Sequence, residues 1–183
     1  MRKLVSRYRV LAISLTLVIA AVGCQTVPAS GARTASATLF DANGREVGKL
    51  RFTDLGPVGV LVTGELHDLV AGQHGIHIHG VGQCDAAGAF ASAGPHLNPG
   101  GRKHGLANPD GPHAGDLANL VIGTDLHGSY RATSSTSTLG NDARSLLDED
   151  GSAVVIHAMT DDQRTDPAGN SGARVACGVI RAG

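Results

Sequence analysis

The chain has 183 residues, of which 42% are hydrophobic and only 3% aromatic, and its formal net charge at pH 7 is −1. This length predicts one modest domain, and the scarcity of Phe and Tyr requires a core built mainly from Val, Ile, Leu and Ala. The balance of 15 basic against 16 acidic residues argues against a nucleic-acid-binding protein, and the sequence has no internal repeat.

The first 24 residues have the pattern of an export signal. Basic residues precede an apolar run, Val10 to Val22, that is too short for a comfortable membrane span. The run ends in Ala21-Val22-Gly23-Cys24, which resembles a bacterial lipobox. We therefore expect residues 1–23 to be a lipoprotein signal peptide and Cys24 to become the lipid-modified N-terminus. Cleavage by the ordinary signal peptidase and an uncleaved signal anchor are the alternatives.

This leader also predicts where the mature protein is located. We expect it to be exported to the bacterial cell envelope and held to a membrane by its N-terminal lipid, on the periplasmic side or at the cell surface. Residues 24–36 are rich in Pro, Ser, Ala and Gly without a hydrophobic pattern, which is typical of a flexible tether. Removing residues 1–23 takes away four basic residues and leaves a formal charge of −5, which again gives no support to nucleic-acid binding.

From residue 37 onward the sequence predicts short strands separated by turns. The expected strands are 37–40, 46–53, 58–66, 74–79, 117–122, 129–133, 153–158 and 173–180. Asp41-Ala-Asn-Gly44 is a hairpin signal, and residues 142–147 are expected to form no more than one short helical turn. Eight short strands with Gly-rich punctuation predict an all-β protein, an eight-stranded antiparallel sandwich or Greek-key β-barrel.

Two histidines alternate with isoleucines in Gly75-Ile-His-Ile-His79. Side chains at positions i and i+2 of a strand project from the same face, so His77 and His79 can bind one ion while the isoleucines point the other way. A His-x-His pair alone is equally consistent with a chance arrangement at the surface.

A second group of potential ligands lies in a Gly/Pro/Asn-rich segment that has little capacity for regular structure. Its members are His96, His104, His113 and Asp116. Three histidines and one carboxylate are a closed tetrahedral set, as in structural zinc sites, and metal binding can order such a loop. Without a metal, an irregular loop of this length would be unusual inside a compact domain.

These residues carry a family resemblance that extends from about residue 35 to residue 183. The chain resembles the copper/zinc superoxide dismutases in their secreted bacterial form. The matching motifs are Gly75-Ile-His-Ile-His79, Gly94-Pro-His-Leu-Asn-Pro99, Arg102-Lys-His104, His113-Ala-Gly-Asp116 and Gly169-Asn-Ser-Gly-Ala-Arg-Val-Ala-Cys-Gly-Val-Ile180. The resemblance implies a single superoxide dismutase domain over residues 37–183, with long metal-binding and electrostatic loops.

The resemblance also implies copper and zinc as cofactors, one of each per subunit. The implied copper ligands are His77, His79, His96 and His157. The implied zinc ligands are His96, His104, His113 and Asp116, so that His96 bridges the two metals. The residues alone indicate two metal clusters; the bridge comes from the resemblance.

Several other residues receive roles in the same way. Asp161 is implied to accept hydrogen bonds from one copper ligand and one zinc ligand, and His74 to support the backbone of the copper site without binding metal. Arg174 is implied to dock the substrate anion beside copper, because a guanidinium offers a charge and two donors. The alternatives are a solvated loop acid for Asp161 and a surface salt bridge for Arg174. His67 and His127 match nothing and are expected to be surface residues.

Cys84 and Cys177 remain once Cys24 is assigned to lipid, and an even pair in an exported chain indicates a disulfide. The resembling family has the same pair; free buried cysteines are the alternative. The bond would pin the loop after His79 to the last strand. The loop from residue 161 to residue 173 is short for the family, which leaves open how strongly charges steer the substrate.

The implied function is that of an oxidoreductase that disproportionates superoxide anion to dioxygen and hydrogen peroxide by cycling Cu(II)/Cu(I). In this function Arg174 and His96 would take part in catalysis, and zinc would be structural. The alternative is a noncatalytic copper-binding or copper-buffering protein on the same scaffold. A sandwich that binds only zinc would leave the copper-type histidines unexplained. Bacterial relatives include dimers and monomers, so the sequence is compatible with a homodimer without requiring one.

Overall fold

A computed structural model of the protein describes residues 31–183, and within this range the regular structure is almost entirely β. The strands are β1 (Thr34–Asp41), β2 (Glu46–Asp54), β3 (Val60–His67), β4 (Gly72–His74), β5 (Ile76–His79), β6 (Leu120–Ile122), β7 (His127–Ser134), β8 (Ala153–His157), β9 (Arg174–Val179) and β10 (Arg181–Ala182). Two 3-10 helices of one turn cover Gly56–Val58 and Ala91–Ala93.

Eight of these strands form one curled antiparallel sheet. Its order is β5-β8-β9-β1-β2-β3-β7, with β10 paired to the free part of β1, while β4 and β6 pair with each other. Consecutive strands are neighbours from β1 to β3, but β8 and β9 lie between β5 and β1. This crossover is the Greek-key type of connection, so the predicted all-β antiparallel fold is confirmed.

The hairpin between β1 and β2 forms at the predicted turn. The side chain of Asp41 accepts hydrogen bonds from the backbone N–H groups of Asn43 and Arg45, both at 2.9 Å. Gly44 has a φ of 77°, a left-handed conformation that favours glycine. The local sequence therefore contains everything that this turn requires.

The core is aliphatic, as the composition predicts. The main cluster is formed by inward-facing Leu, Val, Ile and Ala side chains of the large sheet, with Phe52 as its largest fully buried member. A smaller cluster packs Phe90 and Ala93 of the loop after β5 against Val155 and Cys177 of the sheet. This second cluster fixes the loop that precedes His96.

Several expected strand boundaries differ from the structure; the third strand, for example, begins at Val60 and not at residue 58, because Gly56–Val58 is a 3-10 helix. Residues Thr34–Ser36 of the expected tether belong to β1, because Ala35 is buried and pairs with Phe52 on one side and Ala182 on the other. The expected strand 74–79 is interrupted at Gly75, whose N–H donates to Met159 and whose carbonyl accepts from His157. The expected strand 117–122 is regular only over Leu120–Ile122.

The predicted signal peptide, Cys24 and the start of the tether lie outside the described residues. Among residues 31–183 the structure has no helix of the length and apolarity needed to span a membrane.

Candidate metal centre

The centre is built around strand β5. All four of its residues are buried, and it pairs with β8, in which His157 is the last residue. The long loop that follows β5 returns along its other edge through two isolated bridges, His77 to Asp116 and His79 to His96. One strand thus brings together histidines that are up to 80 positions apart in the sequence.

Four histidines form the first ligand group. One ring nitrogen from each of His77, His79, His96 and His157 lies within 4.8 Å of the corresponding nitrogen of every other member. The prediction that His77 and His79 share one face is confirmed, since their ring centroids are 6.5 Å apart and both rings enter this group.

Each of these four imidazoles has one buried nitrogen without a hydrogen-bond partner among the described residues. These atoms are His77 Nδ1, His79 Nε2, His96 Nε2 and His157 Nε2. A buried nitrogen without a partner is costly, and four of them that converge on one point are best satisfied by a cation. Imidazole nitrogen is a ligand suited to copper, so the donor set fits this metal.

The opposite nitrogens of these rings are held by protein acceptors. His79 Nδ1–H donates to the carbonyl of Gly94 at 2.8 Å, and His157 Nδ1–H donates to that of Gly172 at 3.1 Å. His77 Nε2–H donates to Asp161 Oδ2 at 2.7 Å. Such contacts fix the tautomer and aim the lone pair of the other nitrogen at the metal.

Burial keeps these imidazoles neutral. Desolvation lowers the pKa of His77 to about 4, that of His79 to about 2 and that of His157 to about 3. A neutral imidazole has the lone pair that a metal requires, so these ligands are ready to bind at neutral pH without first losing a proton.

The second ligand group lies on the other side of His96. Asp116 Oδ1 is 2.9 Å from His96 Nδ1, 3.0 Å from His104 Nδ1 and 3.3 Å from His113 Nδ1. In a tetrahedral zinc site with bonds near 2.0–2.1 Å, ligand atoms are about 3.3 Å from one another. Asp116 Oδ2 is held by the N–H groups of Gly105 and His113, which leaves Oδ1 for a metal. The second group therefore fits zinc.

His96 belongs to both groups. Its Nε2 is one of the four unpartnered nitrogens of the first group, and its Nδ1 lies among the ligand atoms of the second. A single imidazole that presents one nitrogen to each group has the geometry needed to bridge two metals.

Asp161 lies between the two groups. Its Oδ2 accepts from His77 Nε2 at 2.7 Å, and its Oδ1 lies 3.0 Å from His104 Nε2. Burial by itself would raise the pKa of Asp161, but the hydrogen bonds from His104 and His77 outweigh it and the pKa is lowered. The carboxylate is therefore ionised and orients one ligand of each group, in the place expected for it.

Two residues that the sequence analysis missed hold Asp161 in position. Gln163 donates from Nε2 to Asp161 Oδ2 at 2.7 Å, and Asn119 exchanges side-chain hydrogen bonds with both backbone groups of Asp161. Neither residue belongs to a motif or has a ligand-type side chain, so only the three-dimensional contacts identify them.

His74 has no nitrogen available for a metal. Its Nδ1 lies 2.8 Å from the carbonyl of His157, and its Nε2 lies 2.7 Å from that of Val70. It ties the backbone at the end of β8 to the loop before β4, in keeping with the supporting role expected of it.

Arg174 is in the same cavity as the first ligand group. This cavity has a volume of about 900 Å³, and its lining includes His79, His96, His157 and Arg174. The guanidinium donates from Nη1 to the carbonyl of Phe90 at 2.6 Å and from Nη2 to that of Gly94 at 2.7 Å. Gly94 thus accepts hydrogen bonds from both Arg174 and His79. No carboxylate pairs with Arg174 within residues 31–183, which leaves its charge available to an anion.

The disulfide between Cys84 and Cys177 is present, as predicted. It links the loop after β5 to β9, three residues from Arg174, and Cys177 packs in the small cluster with Phe90. The bond therefore fastens both the arginine and its carbonyl partners to the same part of the sheet.

The fold and the two linked ligand groups define a β-scaffold for two metal ions. The family model of copper/zinc superoxide dismutase matches residues 46–180. The chain belongs to the copper/zinc superoxide dismutase family, whose cofactors are copper and zinc.

Curated relatives and a solved structure agree with this family. The chain is 41% identical over 151 residues to superoxide dismutase [Cu-Zn] 2 of Aquifex aeolicus, covering 80% of this chain and 86% of that protein. It is 40% identical over 151 residues to superoxide dismutase [Cu-Zn] of Caulobacter vibrioides, covering 81% of this chain and 86% of that protein. The crystal structure of a SOD-like protein from Bacillus subtilis superposes with a TM-score of 0.75 at 37% identity, covering 79% of this chain and 96% of that one.

Proposed function

We propose that this protein is a superoxide dismutase that converts two superoxide anions to dioxygen and hydrogen peroxide. The observation that carries the proposal is the convergence of four unpartnered imidazole nitrogens in a cavity that also contains the charge of Arg174. The curated relatives from Aquifex aeolicus and Caulobacter vibrioides bear the name of this activity, and the family match supports it.

In this function the first ligand group holds copper and the second holds zinc. His77, His79, His96 and His157 are the copper ligands; His96, His104, His113 and Asp116 are the zinc ligands. Copper, when bound, supplies the one-electron chemistry by alternating between its Cu(II) and Cu(I) states. The second group holds a structural ion that organises the loop from Gly94 to Asp116, which has no regular structure of its own apart from isolated bridges.

Arg174 docks the substrate. Two of its five N–H donors are engaged by the carbonyls of Phe90 and Gly94, which lock the guanidinium plane and leave the remaining donors for an anion. Superoxide is a small monoanion, and a fixed cation in a partly shielded cavity attracts it more strongly than one in open solvent.

His96 provides a proton site, and Asp161 orients two of the ligands. His96 lines the cavity, and its buried Nε2 would hold the proton that the peroxide product needs when that nitrogen is not bound to copper, while its Nδ1 stays fixed among the atoms of the second group. Asp161 keeps His77 and His104 in the tautomers that direct their other nitrogens to the metals.

The deciding experiment is a direct measurement of superoxide decay after a rapid pulse. The full chain loaded with copper and zinc should accelerate the decay, whereas the same chain loaded with zinc alone should not. A noncatalytic copper-binding protein on this scaffold would bind copper and leave the decay rate unchanged, so that result would replace the proposal with the alternative. Sedimentation of the same sample would decide whether the subunit is a monomer or a homodimer.

The location of the protein is a separate proposal. The basic and apolar leader and Ala21-Val22-Gly23-Cys24 support export to the cell envelope and a lipid anchor on Cys24. Cys24→Ser should remove the acyl mass and shift the protein from the detergent phase to the aqueous phase. Unchanged partition of that variant into detergent would contradict lipidation at this residue.

A further inference from the structure

Two of the nine histidines take no part in the metal centre or in the support of its backbone. His67 is the last residue of β3 and His127 the first residue of β7, and the two residues are directly opposite in the strand register. Side chains of directly opposed residues emerge on the same face of a sheet with Cβ atoms about 5 Å apart. The sequence treats these histidines as unrelated, because 60 positions separate them.

The two rings are arranged like a pair of ligands. Their centroids are 6.3 Å apart and their planes are tilted by 34°. Within the first ligand group of the metal centre, ring centroids are between 4.2 and 6.5 Å apart. The separation of His67 and His127 lies inside this range, and both side chains are accessible to solvent.

In both rings the hydrogen bond engages Nδ1 and leaves Nε2 free to bind a metal. His67 Nδ1–H donates to Asp68 Oδ2 at 3.1 Å, and His127 Nδ1–H donates to the carbonyl of Asp125 at 2.8 Å. Metal-binding histidines commonly have this pattern, with one N–H on a carboxylate or carbonyl and the lone pair of the other nitrogen on the metal. His79 and His157 have the same arrangement in the metal centre, with Nδ1 on a carbonyl.

The charges around the pair favour a cation. Asp68 and Asp125 adjoin the two histidines, and Asp68 is 47% exposed at its side chain. The nearby guanidinium of Arg45 donates to the carbonyl of Asp68 but is paired with Asp41 at 3.2 Å. Arg45 serves both Asp41 and Asp68, so it only partly offsets the negative charge beside the rings.

We propose that His67 and His127 form a third metal site, a surface chelate for a borderline divalent cation such as Zn²⁺ or Cu²⁺. Both rings bind through Nε2, Asp68 orients the ring of His67, and water completes the coordination. Imidazole pairs suit these metals and not the oxygen-preferring Mg²⁺ or Ca²⁺. With two protein ligands at the surface, the site binds more weakly than the buried centre and exchanges its metal with solution.

The test is a calorimetric titration of the full chain, already loaded with copper and zinc, with zinc chloride. The expected result is one further equivalent of zinc, lost in both His67→Gln and His127→Gln. Asp68→Asn should weaken this binding by roughly tenfold or more, because it replaces the charged acceptor of the His67 hydrogen bond with a neutral one. Asp142→Asn, which removes an exposed carboxylate in another loop, is the matched control and should bind the further equivalent normally.

Superoxide decay by the loaded chain should be unchanged in both histidine variants, because neither ring contacts the metal centre. This separates the third site from the proposed activity, which can fail while the extra zinc still binds. Absence of a further equivalent in the unaltered chain, or its retention in either histidine variant, would overturn the site. A zinc-dependent dimer that disappears in the same variants would also overturn it, since the rings would then bind between two copies.

Discussion

Replacement of Arg174 by isoleucine should lower the rate constant for superoxide by roughly one to two orders of magnitude. The guanidinium lines the same cavity as three of the four copper-type histidines, and no carboxylate of the described residues neutralises it. A unit charge a few ångströms from an anion in a partly shielded site contributes on the order of 1–4 kcal/mol. Because about 1.4 kcal/mol corresponds to a factor of ten in rate, the middle of this range, about 1.4–2.8 kcal/mol, gives the stated loss.

The charge and the geometry of Arg174 can be separated with a second variant. Arg174→Lys keeps a cation but cannot donate to Phe90 and Gly94 in the same fixed plane, so it should retain more activity than the isoleucine variant. Added salt should slow the isoleucine variant less steeply than the unaltered protein, because a screened attraction has been removed.

The measurement is superoxide decay at several ionic strengths, accompanied by metal analysis and the copper absorption band. Metal content is the essential control, since Gly94 also accepts the hydrogen bond from His79 and a shift of that carbonyl could disturb copper. Full activity of Arg174→Ile with both metals bound would refute the docking role and make the arginine a structural residue.

Four other changes test the centre and its supports. His157→Ala should abolish dismutation while zinc stays bound near one equivalent, whereas His113→Ala should loosen the loop and lower the melting temperature more than the turnover at neutral pH; equal loss of both metals from both variants would overturn the ligand assignment. Asp161→Asn should lower the affinity for both metals by roughly tenfold or more, measured by competition with chelators, because the carboxylate orients one ligand of each. Replacement of Cys84 and Cys177 by serine should lower the free energy of unfolding by roughly 4–5 kcal/mol in denaturant titrations, since the bond closes a loop of 93 residues; a loss below about 1 kcal/mol would contradict the entropic argument.

Local patterns in the sequence are sufficient for the parts of this protein that depend on near neighbours. The two-residue period of His77 and His79 places both rings on one face of a strand, and Asp41-Ala-Asn-Gly44 contains the side-chain acceptor and the glycine of its turn. The even pair of cysteines and the aliphatic composition likewise predict the disulfide and the type of core. The motifs that resemble the family predict its ligands in order along the chain.

Only the tertiary structure decides how distant residues meet, because strand pairing joins positions that no local period relates. The crossover that places β8 beside β5 brings His157 to His77, and Asp161 lies between the two ligand groups in a loop that Gln163 and Asn119 hold by hydrogen bonds. The break at Gly75 follows from backbone partners on distant segments and has no local signal. The register of β3 and β7 likewise sets His67 opposite His127, which turns two unrelated surface histidines into neighbours that can share one ion.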